Sequence, residues 1–170
     1  MGQGCDALDG ENGKHAVLGW TKTCIAVHPS DFCVPLAALG AEIEVTGPDG
    51  HRRLTIDDLY TLPGEGQAPG TALRESDLIT ALILPSGGKR FAAGARYMKL
   101  RDRTSYAFAI VSAAAMLQIG DGRIKDARLA LGGARRGEAT HANLPETDRA
   151  VKMLLGQIKF FDARRGYGFV

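Results

Sequence analysis

The sequence predicts an α+β fold: a small mixed βα subdomain to about residue 85, then an antiparallel sheet from about residue 90. Three observations carry this reading. Two alternating segments flank Gly47-Pro48-Asp49-Gly50, which spells a β-hairpin. Two further segments flank the tight turn Gly120-Asp121-Gly122. Apolar spacing suited to a short buried helix occurs from Phe32 to Leu39.

Residues 1–24 are Gly-rich and irregular. Pro29-Ser30-Asp31 leads into the helix, with Ser30 or Asp31 as N-cap and Gly40 as the stop. Ala41 to Thr46 and Arg52 to Ile56 are the hairpin strands. Asp57-Asp58-Leu59-Tyr60 reads as one helical turn capped by Asp57. Residues 63–76, made of Pro, Gly and polar residues, read as a loop, and Leu78 to Leu84 as an apolar strand ended by Pro85. Ser86-Gly87-Gly88-Lys89 reads as a turn or interdomain linker. From Arg96 to Arg103 the chain alternates, with Tyr97, Lys99 and Arg101 on one face and Met98, Leu100 and Asp102 on the other. Periodicity alone leaves Tyr106 to Leu117 open between helix and buried strand. The Gly-Asp-Gly turn assigns 107–118 to a strand paired with Ile124 to Leu131. Residues 132–148 read as loop, Arg149 to Leu155 as a short amphipathic helix, and Gly156 to Val170 as strand, turn, strand.

The 170 residues are 45% apolar and 24% charged, with a mean hydropathy of −0.08. No apolar run approaches the ~20 residues a bilayer span needs, and the composition excludes collagenous and wholly disordered classes. Met1 to Asp6 has neither the basic start nor the apolar run of a secretory signal, and Asp6 breaks the myristoylation pattern. The net charge of +2 hides an asymmetry. Residues 1–88 hold 5 Lys/Arg against 12 Asp/Glu, and residues 89–170 hold 16 against 7. Either the second half binds an anion or the two halves attract each other.

An odd set of three cysteines argues against a disulfide framework. Cys33, in an apolar run, reads as a small core residue. Cys5 and Cys24 lie in polar, turn-like surroundings and are the candidate metal ligands. Zinc and iron–sulfur sites usually take four protein ligands, so two thiolates make half a site. His15, His28, His51 and His141 show no ligand spacing, and no nucleophile elbow or P-loop occurs. No residue is assigned as catalytic.

Several segments together resemble the flavin-binding subunit of bacterial molybdenum hydroxylases, the xanthine dehydrogenase and aldehyde oxidoreductase family. They are Gly4 to Asn12, His15 to Gly19, Cys24-Ile25-Ala26-Val27-His28-Pro29-Ser30-Asp31, Asp77 to Pro85, Tyr97 to Ala109 and Ala127 to Gly133, in the family's order. The resemblance covers residues 4–133. It implies an FAD-dependent electron-transfer subunit whose flavin is contacted by Asp31, Ile79 and Lys99. It further implies that Cys5 and Cys24 are two of four ligands to a [4Fe–4S] cluster. The implied partners are a molybdenum-cofactor large subunit and a [2Fe–2S] small subunit of a heterotrimer, with no membrane involved. Residues 1–85 then correspond to the rear of the FAD-binding domain. Residues 90–148 correspond to an incomplete flavoprotein C-terminal domain like that of carbon monoxide dehydrogenase, a three-stranded antiparallel sheet with a helix. The family's pyrophosphate-cradling Gly-rich loops have no counterpart here, so the expectation is a chain truncated at its N-terminus, cytoplasmic, or periplasmic if exported with its partners.

Gly156 to Val170 resembles the opening of a cold-shock domain. That implies single-stranded nucleic-acid contacts by Phe160, Tyr167 and Phe169, with Lys159 and Arg165 beside them at phosphates. It also leaves open a reading in which two gene pieces join near residues 149–156 to give an inactive product.

Overall fold

The computed structural model describes residues 6–15, 25, 27–61, 70–133, 142–143, 160–162 and 167–169, the last three segments by backbone alone. Among the described residues, a short 3-10 turn at Asp6–Leu8 is followed by helix α1, Cys33–Leu39. Pro35 falls in its first turn, where a missing N–H breaks no intrahelical bond. The N-cap position is Phe32 and carries no side-chain cap, so neither Ser30 nor Asp31 is the N-cap; the Ser30 hydroxyl, just ahead of it, accepts from the backbone N–H of Phe32 (3.2 Å) and of Cys33 (3.1 Å). Gly40 closes it at φ 69°, with Gly40 N–H bonded to Ala37 O and Ala41 N–H to Leu36 O.

Strands β1 (Glu42–Gly47) and β2 (Gly50–Thr55) form the expected hairpin, with Gly47 opposite Gly50. The turn after it, α2 (Ile56–Leu59), is capped by Thr55 and not by Asp57. Thr55 Oγ1 accepts from Asp58 N–H at 3.0 Å, and the Asp58 carboxylate accepts from Thr55 N–H, a reciprocal pair that Asp57, already inside the helix, could not make. Within the segment read as loop, Gly70–Thr71 (β4) pairs with Tyr60–Thr61 (β3). Strand β5 (Leu78–Ile83) joins β1 antiparallel, giving a three-stranded sheet ordered β2-β1-β5.

Ser86–Phe91 is a 3-10 helix, not a linker. Its Gly-Gly pair looks like a turn, but Phe91 at its end is 1% exposed and anchors it in the core. The second sheet follows: β6 (Ala95–Leu100), β7 (Val111–Gly120), β8 (Arg123–Gly132) and β9 (Ala142–Asn143), in that order and all antiparallel. The two-residue β9 adds a fourth strand to the three expected. Asp121 and Gly122 both take positive φ, 54° and 70°, the conformation a two-residue hairpin turn requires. In the tail, β10 (Phe160–Asp162) pairs with β11 (Tyr167–Phe169). Residues 149–155 lie outside the described residues.

Two cores meet at α1. Val34 and Ala38 pack with Phe91, Ala114, Met116 and Ala130 of the second sheet's layer. Leu36 packs with Ala41, Ile43, Val45, Ile56 and Leu59 of the first. Arg128 on β8 donates to the Leu39 carbonyl at 2.8 Å, and its guanidinium also lies 5.2 Å from the Phe91 ring centre. In the first sheet Arg52 holds the buried Asp77 carboxylate with two hydrogen bonds, at 3.0 and 2.5 Å. Among the described residues no helix is long and apolar enough to cross a membrane.

Phe91→Ala opens a cavity where the 3-10 helix, α1 and the second sheet meet. It is expected to lower stability by about 3–5 kcal/mol, read as a fall in the urea midpoint, whereas Phe108→Ala shifts it by about 0.5 kcal/mol or less. Phe108 is 63% exposed.

Candidate functional site

The first candidate site forms where the start of α1 faces the edge strand β6. Ser30 accepts from the amides of Phe32 and Cys33, and the Asp31 carboxylate reaches across to β6. Tyr97 and Lys99, two apart on β6, present their side chains on one face, as alternation predicts. Lys99 Nζ donates to Asp31 Oδ2 at 2.6 Å, and Tyr97 Oη donates to Asp31 Oδ1 at 2.8 Å. Each carboxylate oxygen thus has its own donor. Asp31 lies in the acidic half of the chain and Lys99 in the basic half, so the pair spans the charge divide.

Exposure differs across the pair. The Lys99 side chain is 15% exposed and that of Asp31 45%. The Lys99 ammonium, then the Tyr97 hydroxyl, hold the Asp31 carboxyl below the usual carboxylate range, and Arg101 adds a smaller attraction. Burial, and the hydrogen bond donated to Asp31, push the Tyr97 phenol up. The arrangement is a fixed carboxylate with an ammonium and a phenol beside it, at a surface a ligand can reach. Those groups can accept from hydroxyls, donate to carbonyls and offset negative charge, so the donor set fits the ring and sugar-alcohol portions of a flavin.

Ile79, the third expected contact, lies on β5, the edge of the other sheet, and is 43% exposed. Leu78, Leu82 and Leu84 beside it are also exposed, so β5 carries an apolar surface rather than a filled core face. Cys5, Cys24, Lys159 and Arg165 lie outside the described residues. Phe160, Tyr167 and Phe169 sit on the paired tail strands, with Phe160 opposite Phe169. Among the described residues no three His, Cys, Asp or Glu side chains gather as for a metal.

Sequence reading missed two things. Tyr97 was placed on the face of Lys99 without a role, although its spacing of two already aims it at the same partner. Cys33 was read as a core residue, but it is only half-buried. Its sulfur lies 3.6 Å from His28 Nε2 and 3.4 Å from Tyr60 Oη, which in turn are 2.9 Å apart. Burial first, and the Cys33 thiol second, push the Tyr60 phenol well above its ordinary value. Tyr60 is 27 residues from Cys33, so no local pattern announces this cluster.

Comparison with known proteins places these features in a family. Residues 22–87 match the FAD binding domain in molybdopterin dehydrogenase. Residues 95–158 match the CO dehydrogenase flavoprotein C-terminal domain. The second match runs past Gly133, where the resemblance read from the residues stops, and through 149–156, where a join of two gene pieces was one reading. The chain is 44% identical over 158 residues to the aldehyde oxidoreductase FAD-binding subunit PaoB of Escherichia coli (strain K12), covering 88% of this chain and 46% of that protein. It therefore spans about half the length of the curated relative it matches. Among solved structures, a Cu,Mo-CO dehydrogenase in its cyanide-inactivated form shares the fold at a TM-score of 0.53 and 24% identity, over 79% of this chain and 48% of that one. The carbon monoxide dehydrogenase from Hydrogenophaga pseudoflava that lacks the Mo-pyranopterin moiety does so at 0.53 and 22%, over the same shares. With both domain matches in this order on one polypeptide, and the PaoB likeness running across them, the chain belongs to the FAD-binding flavoproteins of the molybdopterin dehydrogenases.

Proposed function

We propose that this chain binds FAD through Asp31, Lys99 and the apolar surface at Ile79, and serves electron transfer in a molybdenum-containing aldehyde oxidoreductase. The observation that carries the reading is the ion pair between Asp31 and Lys99, made across two domains that both belong to flavoproteins. The partners are a molybdenum-cofactor large subunit and a [2Fe–2S] small subunit. Cys5 and Cys24 contribute two thiolates toward a [4Fe–4S] cluster, and residues 1–85 and 90–148 divide the flavin-binding work.

When bound, FAD supplies the electron acceptance and release that no protein side chain here offers. The chain's residues bind and orient. Asp31 accepts from hydroxyls while Lys99 and Tyr97 fix its position. Lys99, mostly shielded from water, holds a positive charge that stabilises negative charge placed beside it. Ile79 offers an apolar face against which a planar ring can lie. Oxidation of the aldehyde itself takes place off this chain, at the molybdenum subunit.

Two measurements test these roles. FAD added to the purified chain is expected to lose fluorescence saturably, with Kd raised about tenfold or more in Lys99→Met, a change of about 1.4 kcal/mol. Fluorescence that stays constant, both with the chain alone and with its partner subunits present, overturns the proposal. The second concerns pH. The folded-state pKa of Asp31 is lowered, so its stabilising contribution is complete above the ordinary carboxylate value of about 3.9 and is lost as the pH falls through the lowered value. The stability gap between the native chain and Asp31→Asn is therefore expected to be constant from neutral pH to about 5 and to close in more acidic solution, as followed by urea midpoints.

A further inference from the structure

We propose that Cys33, His28 and Tyr60 form a binding site for a borderline divalent cation of the zinc type, separate from the flavin residues and from the expected cluster thiols. Two of the donors flank one turn and the third comes from a distant segment. His28 precedes the Pro29-Ser30 turn, Cys33 opens α1, and Tyr60 begins β3 after α2. His28 and Cys33 stand five residues apart, Tyr60 comes 27 residues after Cys33, and Sγ, Nε2 and Oη all lie within 3.6 Å of one another.

The geometry of that convergence is specific. A tetrahedral zinc ion holds sulfur at about 2.3 Å, imidazole nitrogen at about 2.0–2.1 Å and oxygen at about 2.0–2.2 Å. One face of such a tetrahedron then has edges of about 3.6 Å for S···N, about 3.5 Å for S···O and about 3.3 Å for N···O. The observed edges are 3.6, 3.4 and 2.9 Å. Two already match. The third must open by about 0.4 Å, as the short Tyr60–His28 hydrogen bond gives way to two metal bonds.

The chemistry agrees with the geometry. Thiolate and imidazole are the donors zinc takes most readily, and a phenolate is an anionic oxygen donor like the carboxylate that can stand as the third. On binding, the Cys33 thiol proton and the Tyr60 phenol proton both leave to solvent, and the sulfur and the oxygen each give an electron pair to the cation. Cys33 and Tyr60 are half-buried and His28 is exposed, so the cation has a path in and a water can fill the fourth position. The rings of His28 and Tyr60 lie 4.7 Å apart between centres, tilted by 41°, so the two donors are packed against each other.

Cobalt(II) is the probe, because its thiolate complexes absorb strongly in the near ultraviolet. The background is the full chain carrying Cys5→Ser and Cys24→Ser, so that Cys33 is the sole thiol. Titration with Co2+ is expected to raise a thiolate-to-cobalt band that saturates at one equivalent and is bleached by added Zn2+. His28→Gln and Tyr60→Phe, each checked by circular dichroism, are expected to weaken Co2+ binding about tenfold or more. Absence of the band in the Cys33-only chain overturns the site. So does a band whose Kd in His28→Gln or in Tyr60→Phe is unchanged from that of the Cys33-only chain, since the replaced side chain then contributes no donor.

Discussion

The structure depends on one short helix being buried from two sides. A helix of seven residues does not persist in water on its own. α1 exists because Val34 and Ala38 enter the core of the second sheet while Leu36 enters the core of the first. Its carboxyl end is tied down as well, by the Arg128 guanidinium on the Leu39 carbonyl. The helix is therefore a joint: each sheet supplies half of what stabilises it, and it in turn fixes each sheet relative to the other.

That joint also sets the site. The residues just ahead of α1 emerge at a defined place and angle, with Ser30 satisfying the first amides. Asp31 is left with a carboxylate that β6 can reach, and Tyr97 and Lys99 divide its two oxygens between them. The charge asymmetry of the chain acquires a local meaning here. One acidic group of the first half meets a basic group of the second where the two layers approach. Attraction between the halves and a capacity to meet an anion are then two uses of the same side chains. Lys14 and Asp102 make a pair in the opposite sense, basic from the first half and acidic from the second, so the field is not a simple two-pole one.

The same turn carries His28 on one side and Cys33 on the other, and α2 delivers Tyr60 to both. A single constraint, the placement of α1 against two sheets, thus assembles two polar clusters within a few residues of each other. One is an ion pair at a flavoprotein domain boundary. The other is a triangle of sulfur, nitrogen and oxygen with edges of 3.6, 3.4 and 2.9 Å.

Local chemistry made much of the fold legible in the sequence. Hairpins at Pro48-Asp49 and Asp121-Gly122 follow from turn residues that tolerate few other conformations. The alternation through Tyr97 and Lys99 specified which side chains share a face. Asp31 and Lys99 were singled out from the flavoprotein resemblance, and their pairing had to wait for coordinates. What sequence could not decide were features set by distant partners. Phe91 turns an apparent linker into a packed 3-10 helix, a two-residue β4 finds β3 across a loop, and Cys33 exchanges an apolar environment for His28 and Tyr60. Backbone propensity acts over a few residues, so the chain alone determined its turns, strand faces and α+β class. Burial and side-chain convergence join residues tens of positions apart, so only the folded chain decided which groups meet.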